Sequence, residues 1–273
     1  MSESKINSLV DNVYVLNLEK DSFKYDILKR KLDKKNIQHQ RFLGVDGYDG
    51  LISTEEKEKA FKNMIDKYRG TDLYEPLLRR GGYVLWNRAC GANRTRGAMG
   101  CLLSHRKIIQ DAIDNKYKKI LLLQDDIYFH NKFDQVLSDL TPTIESSLMV
   151  HLGAAEHSSH IQRDKWPNPS WNYRRVRYST TAETCGLWGT IIDQEMFGPF
   201  MELSQFKFFA ADISFAVLGV YKYPHDTWVA HPNIIIAERS HSNTSETDEY
   251  TVPMGRGFGW DLSAYDLSER YYE

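Results

Sequence analysis

The chain has 273 residues with 37 acidic and 35 basic side chains, a net charge of −2 and an apolar fraction of 41%. This balance excludes an extended disordered chain and leaves no charge excess for an obligatory nucleic-acid or polybasic membrane partner. The length fits a single domain over residues 1–273.

Targeting signals and cysteine patterns are missing from the sequence. Residues 1–12 are polar and lack the apolar core of a signal peptide, and no apolar run approaches the roughly 20 residues of a membrane span. Cys90, Cys101 and Cys185 are scattered and form neither a disulfide framework nor a zinc motif. The sequence therefore predicts a reduced, cytoplasmic protein with no membrane span.

The first predicted elements form a strand–helix–strand unit. Residues 13–18 are a nearly unbroken apolar run, typical of a parallel strand buried on both faces. The apolar positions of the next predicted helix are Phe23, Ile27, Leu28 and Leu32. A second strand over residues 41–45 ends at Asp46 and Gly47. A unit of this kind predicts a right-handed crossover and a parallel sheet.

A second helix is predicted to begin at a capping box and to be followed by an irregular segment. Ser53 and Glu56 form the capping box, and Gly70 ends the helix. Residues 67–96 lose apolar periodicity, contain many arginines and have a pair of glycines in the middle. An irregular stretch of this length predicts a functional or mobile loop, whose arginines either clamp an anionic substrate or are solvated.

The rest of the chain alternates predicted helices and strands. A strong amphipathic helix over residues 98–115 precedes the most hydrophobic run of the chain, at 120–123. Further strands are predicted at 148–152, 186–192 and 233–237, and further helices at 194–203 and 210–218. Residues 157–177 are irregular, and the part after residue 240 is polar and aromatic. This alternation indicates an α/β fold.

The sharpest local signal is the acidic end of the strand at residues 120–123. Gln124, Asp125 and Asp126 follow this strand directly, where open α/β sheets place their ligands. Hard divalent cations prefer oxygen ligands and often bridge one or two carboxylates to substrate phosphates. The alternative is a solvated turn, because aspartate is common after strands.

A second signal is the sequence from Gly100 to His105 near the start of a predicted helix. Free N–H groups at a helix N-terminus can bind a phosphate, and His105 could donate a hydrogen bond or transfer a proton. The spacing alone favours a structural explanation, in which Gly100 allows close packing and His105 is a buried hydrogen-bonding group.

The order of these motifs resembles glycosyltransferase family 25, the lipopolysaccharide and procollagen glycosyltransferases. The similar segments are 14–20 with Arg30, 45–47, 97–105, 122–126, 186–190 and Ala211–Asp212. The resemblance spans residues 12–240 and leaves 241–273 as an extension. It implies a GT-A type nucleotide-sugar-binding fold, with a mixed, mostly parallel central sheet flanked by helices.

The resemblance also implies the chemistry and the residues that carry it. The implied reaction is inverting transfer of galactose or glucose from a UDP-sugar to a hydroxyl acceptor on a glycan or a hydroxylated protein, assisted by Mn²⁺. The implied donor-site residues are Asn17, Asp46, Gly100, Ser104, His105 and Asp125. Asp126 is the implied main metal ligand, with Gln124 and His231 as further candidates, and Asp212 is the implied general base.

Three departures from the family pattern leave alternatives open, one of which is the long arginine-rich segment before Gly97, which suggests a distinct acceptor. Gln124 stands where the family usually has glutamate, which removes one negative charge from the metal site, and Ala98 also stands where the family has glutamate. A nucleotide-sugar-binding protein with a degraded metal site is therefore one alternative. A metal-dependent nucleotide-sugar hydrolase is another, although the sequence lacks the multi-carboxylate cluster of two-metal hydrolases.

Overall fold

The computed structural model describes residues 3–47, 53–87, 91–92, 95–156, 173–175, 184–230, 233–238 and 260–271. The strands are β1 Asn12–Asn17, β2 Gln40–Leu43, β3 Lys119–Gln124, β4 Ile127–Phe129, β5 Met149–Glu156, β6 Tyr173–Arg175, β7 Thr184–Asp193, β8 Thr227–Ala230 and β9 Ile235–Ala237. The helices are α1 Ser22–Lys34, α2 Thr54–Tyr68, α3 Tyr74–Asn87, α4 Arg96–Asp114, α5 Phe133–Ser146, α6 Phe197–Ser204 and α7 Ala211–Val217.

The main sheet is mixed and mostly parallel, as predicted. Its seven strands follow the order β2-β1-β3-β7-β5-β8-β6, and β4 pairs with β9 in a separate two-stranded sheet. Strand β1 is parallel to β2 and β3, and β5 is parallel to β8. Strands β7 and β6 run the opposite way. The predicted βαβ opening is confirmed by the parallel pairing of β1 with β2.

Helices cover both faces of this sheet because its central strands are apolar on both sides. Tyr14 and Leu122 pack in one buried cluster with residues of α2, α3, α4, α6 and α7. Val15 and Leu123 pack in a second cluster with residues of α1 and α5. None of the helices within the described ranges is long and apolar enough to cross a membrane.

The prediction of an irregular loop over residues 67–96 is wrong for residues 74–87, which form α3. Leu77 and Val84, seven residues apart, are fully buried. A Cβ at Gly81 would lie 2.0 Å from Cε2 of Phe61 in α2. The glycine pair that suggested a loop therefore allows α2 and α3 to pack closely, and burial of the apolar face outweighs the low helix propensity of glycine.

Several other elements match or refine the sequence predictions. Ser53 and Glu56 form both hydrogen bonds of the predicted capping box, and Gly70 ends the helix region with a positive φ of 78°. The strand predicted at 233–237 is present as β9, but in the small sheet. The sequence pattern does not predict β4 and β8, which are too short for a clear period, or α5, which contains Pro142.

Candidate functional site

Three strand ends meet at one edge of the main sheet. Leu16 of β1 lies beside Gln124 of β3, and Leu123 of β3 lies beside Gly189 of β7. Because β7 runs in the opposite direction, its first residues continue past the carboxyl end of β3. The residues that follow β1 and β3 therefore share an edge with the start of β7. Open α/β sheets bind their ligands at such an edge.

Asp125 is held at this edge by the end of β1. Its Oδ2 accepts a hydrogen bond of 2.5 Å from Nδ2 of Asn17, which is only 1% exposed. The same Nδ2 donates to the carbonyl of Asp21 at 3.0 Å, and the Oδ1 of Asn17 accepts from Nε and Nη2 of Arg41 at 2.9 and 2.5 Å. The side chain of Asn17 is thus engaged within the protein, where it positions Asp125.

Asp126 carries an unsatisfied polar atom at this edge. Its Oδ1 is enclosed and has no hydrogen-bond partner among the described residues. Burial, and next the negative charge of Asp125, raise the pKa of Asp126 to about 7. Burial also raises the pKa of Asp125. The two carboxylates therefore repel each other when both are ionised, and a bound cation would offset this repulsion.

Lys24 in the first turn of α1 is a site residue that the sequence prediction missed. It is 2% exposed, and its positive charge lowers the pKa of both Asp125 and Asp126. The signal was present in the helical period, since Lys24 lies four residues before the buried Leu28. It was overlooked because lysines at such positions are usually solvated.

A metal ion at this edge would be held by few protein ligands. Among the described residues, no group of three or more His, Cys, Asp or Glu side chains could hold a metal ion. Asp125 and Asp126 nevertheless offer hard oxygen atoms, and the unpartnered Oδ1 of Asp126 is a free acceptor. Two carboxylates fit a cation that also takes phosphate ligands. Gln124 ends β3 and is partly buried, and His231 lies outside the described residues.

Gly100 and Ser104 join α4 to the segment that follows β2. A Cβ at Gly100 would lie 2.6 Å from the carbonyl oxygen of Val45 and 3.0 Å from the nitrogen of Gly47. The buried Ser104 hydroxyl accepts from the N–H of Val45 at 2.8 Å and donates to the carbonyl of Gly100 at 2.7 Å. Both residues therefore position the backbone of this segment by close packing.

The start of α4 differs from the prediction. The helix begins at Arg96, two residues early, and Thr95 caps it by accepting from the N–H of Ala98 at 3.0 Å. Gly100 is thus the fifth helical residue, beyond the four whose N–H groups lack a partner within the helix. The expectation that this sequence block presents free N–H groups to a phosphate is wrong for Gly100 and the residues after it.

His105, the histidine of the predicted donor site, is fully buried. Its Nδ1 lies 2.7 Å from the carbonyl oxygen of Cys101, and its Nε2 has no hydrogen-bond partner among the described residues. Burial lowers the pKa of His105, and the carboxylate of Asp212 opposes that shift.

Asp212 lies in the first turn of α7 and is anchored to the start of β7. Its Oδ2 accepts from the N–H of Gly186 at 3.0 Å, and its Oδ1 accepts from the N–H of Ile213 at 2.9 Å. Gly186 has a positive φ of 81°, and a Cβ there would lie 2.7 Å from the ring of Trp188. A side chain at this position would be strained and would meet Trp188, so glycine suits it. The hydrogen bond to Gly186 holds the Asp212 carboxylate at the start of β7, which shares this edge of the sheet with the end of β3.

Asp46 is the most exposed of the predicted donor residues in the described ranges. It forms an ion pair of 2.7 Å with Lys20, and both side chains are more than half exposed, at 54% and 53%. An exposed pair contributes little to stability. Asp46 precedes Gly47, whose backbone nitrogen would lie 3.0 Å from a Cβ at Gly100.

Curated relatives match part of the chain. Procollagen galactosyltransferase 2 of Homo sapiens is 26% identical over 137 residues, which is 50% of this chain and 19% of the relative. The glycosyltransferase 25 family member of Drosophila melanogaster is 26% identical over 126 residues, 46% of this chain and 18% of the relative. Procollagen galactosyltransferase 1 of Danio rerio is 25% identical over 136 residues, 50% of this chain and 19% of the relative. The matched segment spans about a fifth of each relative's length.

The match to a protein family covers more of the chain. The model of glycosyltransferase family 25, described as an LPS biosynthesis protein, matches residues 10–213. This range contains β1, the start of α4, the acidic end of β3 and Asp212. The chain therefore belongs to glycosyltransferase family 25.

Proposed function

We propose that this chain transfers a hexose, galactose or glucose, from a UDP-sugar to a hydroxyl group of a glycan or protein, with Mn²⁺ and with inversion at the anomeric carbon. The observation that carries the proposal is the unpartnered Oδ1 of Asp126 beside Asp125, at the sheet edge to which Gly186 anchors Asp212. Membership of family 25 and the galactosyltransferase names of the relatives support the same reaction.

Asp125 and Asp126 would hold the metal ion, which when bound supplies positive charge to the diphosphate of the donor. Asn17 fixes the orientation of Asp125 through the 2.5 Å hydrogen bond. Because the pKa of Asp126 is raised to about 7, metal binding below neutral pH has to displace a proton. We therefore expect the affinity for Mn²⁺ to rise with pH up to about neutrality.

Asp212 would remove the proton from the acceptor hydroxyl. An alcohol is a poor nucleophile until its proton is leaving, so direct displacement needs a base on the acceptor side. The N–H groups of Gly186 and Ile213 donate to the two carboxylate oxygens and fix the orientation of the group. The side chain remains partly exposed at the edge, where an acceptor can reach it.

The acceptor-binding part of the site is proposed from the irregular segments of the sequence. The segments 67–96 and 157–177 are proposed as acceptor walls and lids. Residues 74–87 of the first form α3, and the second, apart from residues 173–175, lies outside the described residues. The description of the family as an LPS biosynthesis protein supports a glycan acceptor, and the procollagen galactosyltransferases among the relatives support a protein acceptor.

The direct test is UDP release from a panel of UDP-sugars, with and without Mn²⁺ and with glycan and hydroxylated peptide acceptors. The proposal predicts that Mn²⁺ stimulates UDP release from UDP-galactose or UDP-glucose and that an acceptor increases this release. It also predicts that the NMR signal of the anomeric proton shows the product with the anomeric configuration opposite to that of the donor. Release that water alone sustains, with no increase for any acceptor, would instead indicate a hydrolase.

The base assignment has its own variant. Asp212→Asn keeps the shape of the side chain but removes the base, so kcat should fall by at least about 100-fold, the usual contribution of general base catalysis. Asp193→Asn is the matched control, because Asp193 lies at the other end of β7 beside Lys119. Full activity in Asp212→Asn would remove Asp212 from the mechanism.

A second function is supported by the charge at the site. Gln124 is neutral, and the buried Lys24 already offsets part of the charge of Asp125 and Asp126. A site with this balance could bind a nucleotide sugar without turning it over. UDP binding by calorimetry, together with no release from any UDP-sugar, would favour this binding protein.

A further inference from the structure

Residues 260–271 lie outside the family match and pack on the small sheet next to the acidic pair. The N–H of Asp266 donates to the carbonyl of Phe129 at 3.0 Å, and the N–H of Asn131 donates to the carbonyl of Ala264 at 2.8 Å. Strand β4 begins at Ile127, directly after Asp126. This segment therefore contacts the strand that leaves the proposed metal site.

Tyr271 makes the contact nearest to the acidic pair. Its hydroxyl donates to the carbonyl of Ile127 at 2.8 Å, and its N–H donates to the hydroxyl oxygen of Tyr128 at 3.3 Å. The rings of Tyr271 and Tyr128 pack edge to face with centroids 5.2 Å apart. Tyr271 is 4% exposed, so these contacts lie in a dry environment.

The backbone around Asp126 is held from two sides. The carbonyl of Asp126 accepts from the N–H of Glu238 at 2.7 Å, and the next carbonyl, that of Ile127, accepts from Tyr271. Burial, followed by the charges of Asp126 and Asp125, keeps the pKa of Tyr271 above its usual value, so its hydroxyl remains a neutral donor. These two contacts hold the two successive peptide groups that follow Asp126, and so restrict the backbone that carries its side chain.

Helix α1 braces the same segment from the other side. The ammonium group of Lys31 is 4% exposed and lies 4.0 Å from the ring centroid of Tyr128 and 4.3 Å from that of Tyr271. The carboxylate of Glu269 pairs with Arg30 at 2.7 Å and with Lys34 at 2.9 Å. Buried cation–π contacts are stronger than exposed ion pairs, so Lys31 is the main brace of the two rings.

We propose that Tyr271 is a positioning residue for Asp126, and that residues 260–271 complete the site which the family-matched region forms. The hydroxyl of Tyr271 holds the carbonyl of Ile127, one peptide beyond the carbonyl of Asp126 that Glu238 holds. It thereby fixes the start of β4 and preorganises the Asp126 carboxylate for a divalent cation bound to a nucleoside diphosphate. This inference rests on the proposed function, since it assigns a role toward the same metal site.

The test uses Tyr271→Phe in the full chain, which removes one hydroxyl and keeps the ring between Tyr128 and Lys31. Mn²⁺ affinity in the presence of UDP is measured by electron paramagnetic resonance, and melting temperature is measured in parallel. We expect the dissociation constant of Mn²⁺ to rise about fivefold, the effect of one lost hydrogen bond. KM for the donor should rise more than kcat falls.

Tyr265→Phe is the matched control because Tyr265, in the same segment, donates its hydroxyl to the carbonyl of Asn233, away from the acidic pair. It should lower the melting temperature comparably and leave Mn²⁺ affinity within twofold of the wild type. Equal Mn²⁺ affinities in both variants would overturn the role of Tyr271. A wild-type chain that binds no Mn²⁺ with UDP would contradict the proposed function itself, and with it this inference.

Discussion

Two groups of residues lie at the same sheet edge: the Gly100–His105 block of α4 and the Asp125–Asp126 pair after β3. They differ in how their polar atoms are hydrogen-bonded. The hydroxyl of Ser104 makes two hydrogen bonds inside the protein, and the missing side chain of Gly100 makes room for the carbonyl of Val45. Oδ1 of Asp126 has no partner among the described residues, and its pKa is raised. The satisfied hydroxyl of Ser104 builds the site, whereas the unpartnered Oδ1 of Asp126, and also the unpartnered Nε2 of His105 in the first block, are available for ligand chemistry.

The largest effect should come from Asp126→Asn. The amide keeps the volume but loses the charge that would hold the cation, so kcat/KM with Mn²⁺ should fall by at least about 100-fold. Steady-state UDP release measures this loss. A variant that retains more than a tenth of the activity would show that Asp126 is not the main metal ligand.

Asp126→Asn should lower activity but raise stability at alkaline pH when no metal is bound. The raised pKa of Asp126 means that this carboxyl binds a proton more tightly in the folded than in the unfolded state, so its contribution to stability falls as pH rises from about 4 to 7. Without metal, Asp126→Asn should be more stable than the wild type at pH 8 by ~1–3 kcal/mol, and the difference should shrink toward pH 4. Urea unfolding at both pH values tests the sign.

Gly100→Ala should affect the other group through stability. The added Cβ would meet the carbonyl of Val45 at 2.6 Å, and overpacking of this kind costs about 1–3 kcal/mol. Gly82→Ala is the matched control, because a Cβ there meets nothing within 4 Å and alanine favours the helix by up to ~1 kcal/mol. Urea midpoints that move in the same direction for both variants would contradict the packing role of Gly100.

Ser104→Ala should have the smallest effect of the series. It leaves the N–H of Val45 without its partner and should lower the free energy of unfolding by about 1–2 kcal/mol. Because the hydroxyl is engaged within the protein, KM for the donor should change by less than about threefold. A large rise in KM with unchanged stability would instead place Ser104 in direct contact with the donor.

The sequence predicts the parts of the fold that depend on local patterns. Apolar runs and apolar periodicity predict the βαβ opening, and the charged residues directly after an apolar run mark the end of β3. The residue types Ser53 and Glu56, three positions apart, predict the capping box. The seven-strand order could not be read in the same way. It depends on which strands meet after folding, and β7 enters between β3 and β5 against their direction.

The remaining errors share a physical reason, which is that a tertiary neighbour decides the outcome. Gly81 suggests a loop in the sequence, whereas in the structure the ring of Phe61 lies where a Cβ of residue 81 would be. Lys24 is not among the site residues predicted from the sequence, and only the folded chain buries it where its charge lowers the pKa of Asp125 and Asp126. The role of Tyr271 depends on a contact with Ile127, 144 residues away in the chain.

The most direct test of the account is a calorimetric titration of UDP into the wild type, Asp126→Asn and Ser104→Ala, each with and without Mn²⁺. The account predicts that Mn²⁺ strengthens UDP binding in the wild type and in Ser104→Ala but not in Asp126→Asn. The Mn²⁺ effect should amount to at least tenfold in the dissociation constant, about 1.4 kcal/mol. UDP binding that is equally tight with and without Mn²⁺ in all three proteins would contradict the assignment of the acidic pair as the diphosphate and metal site.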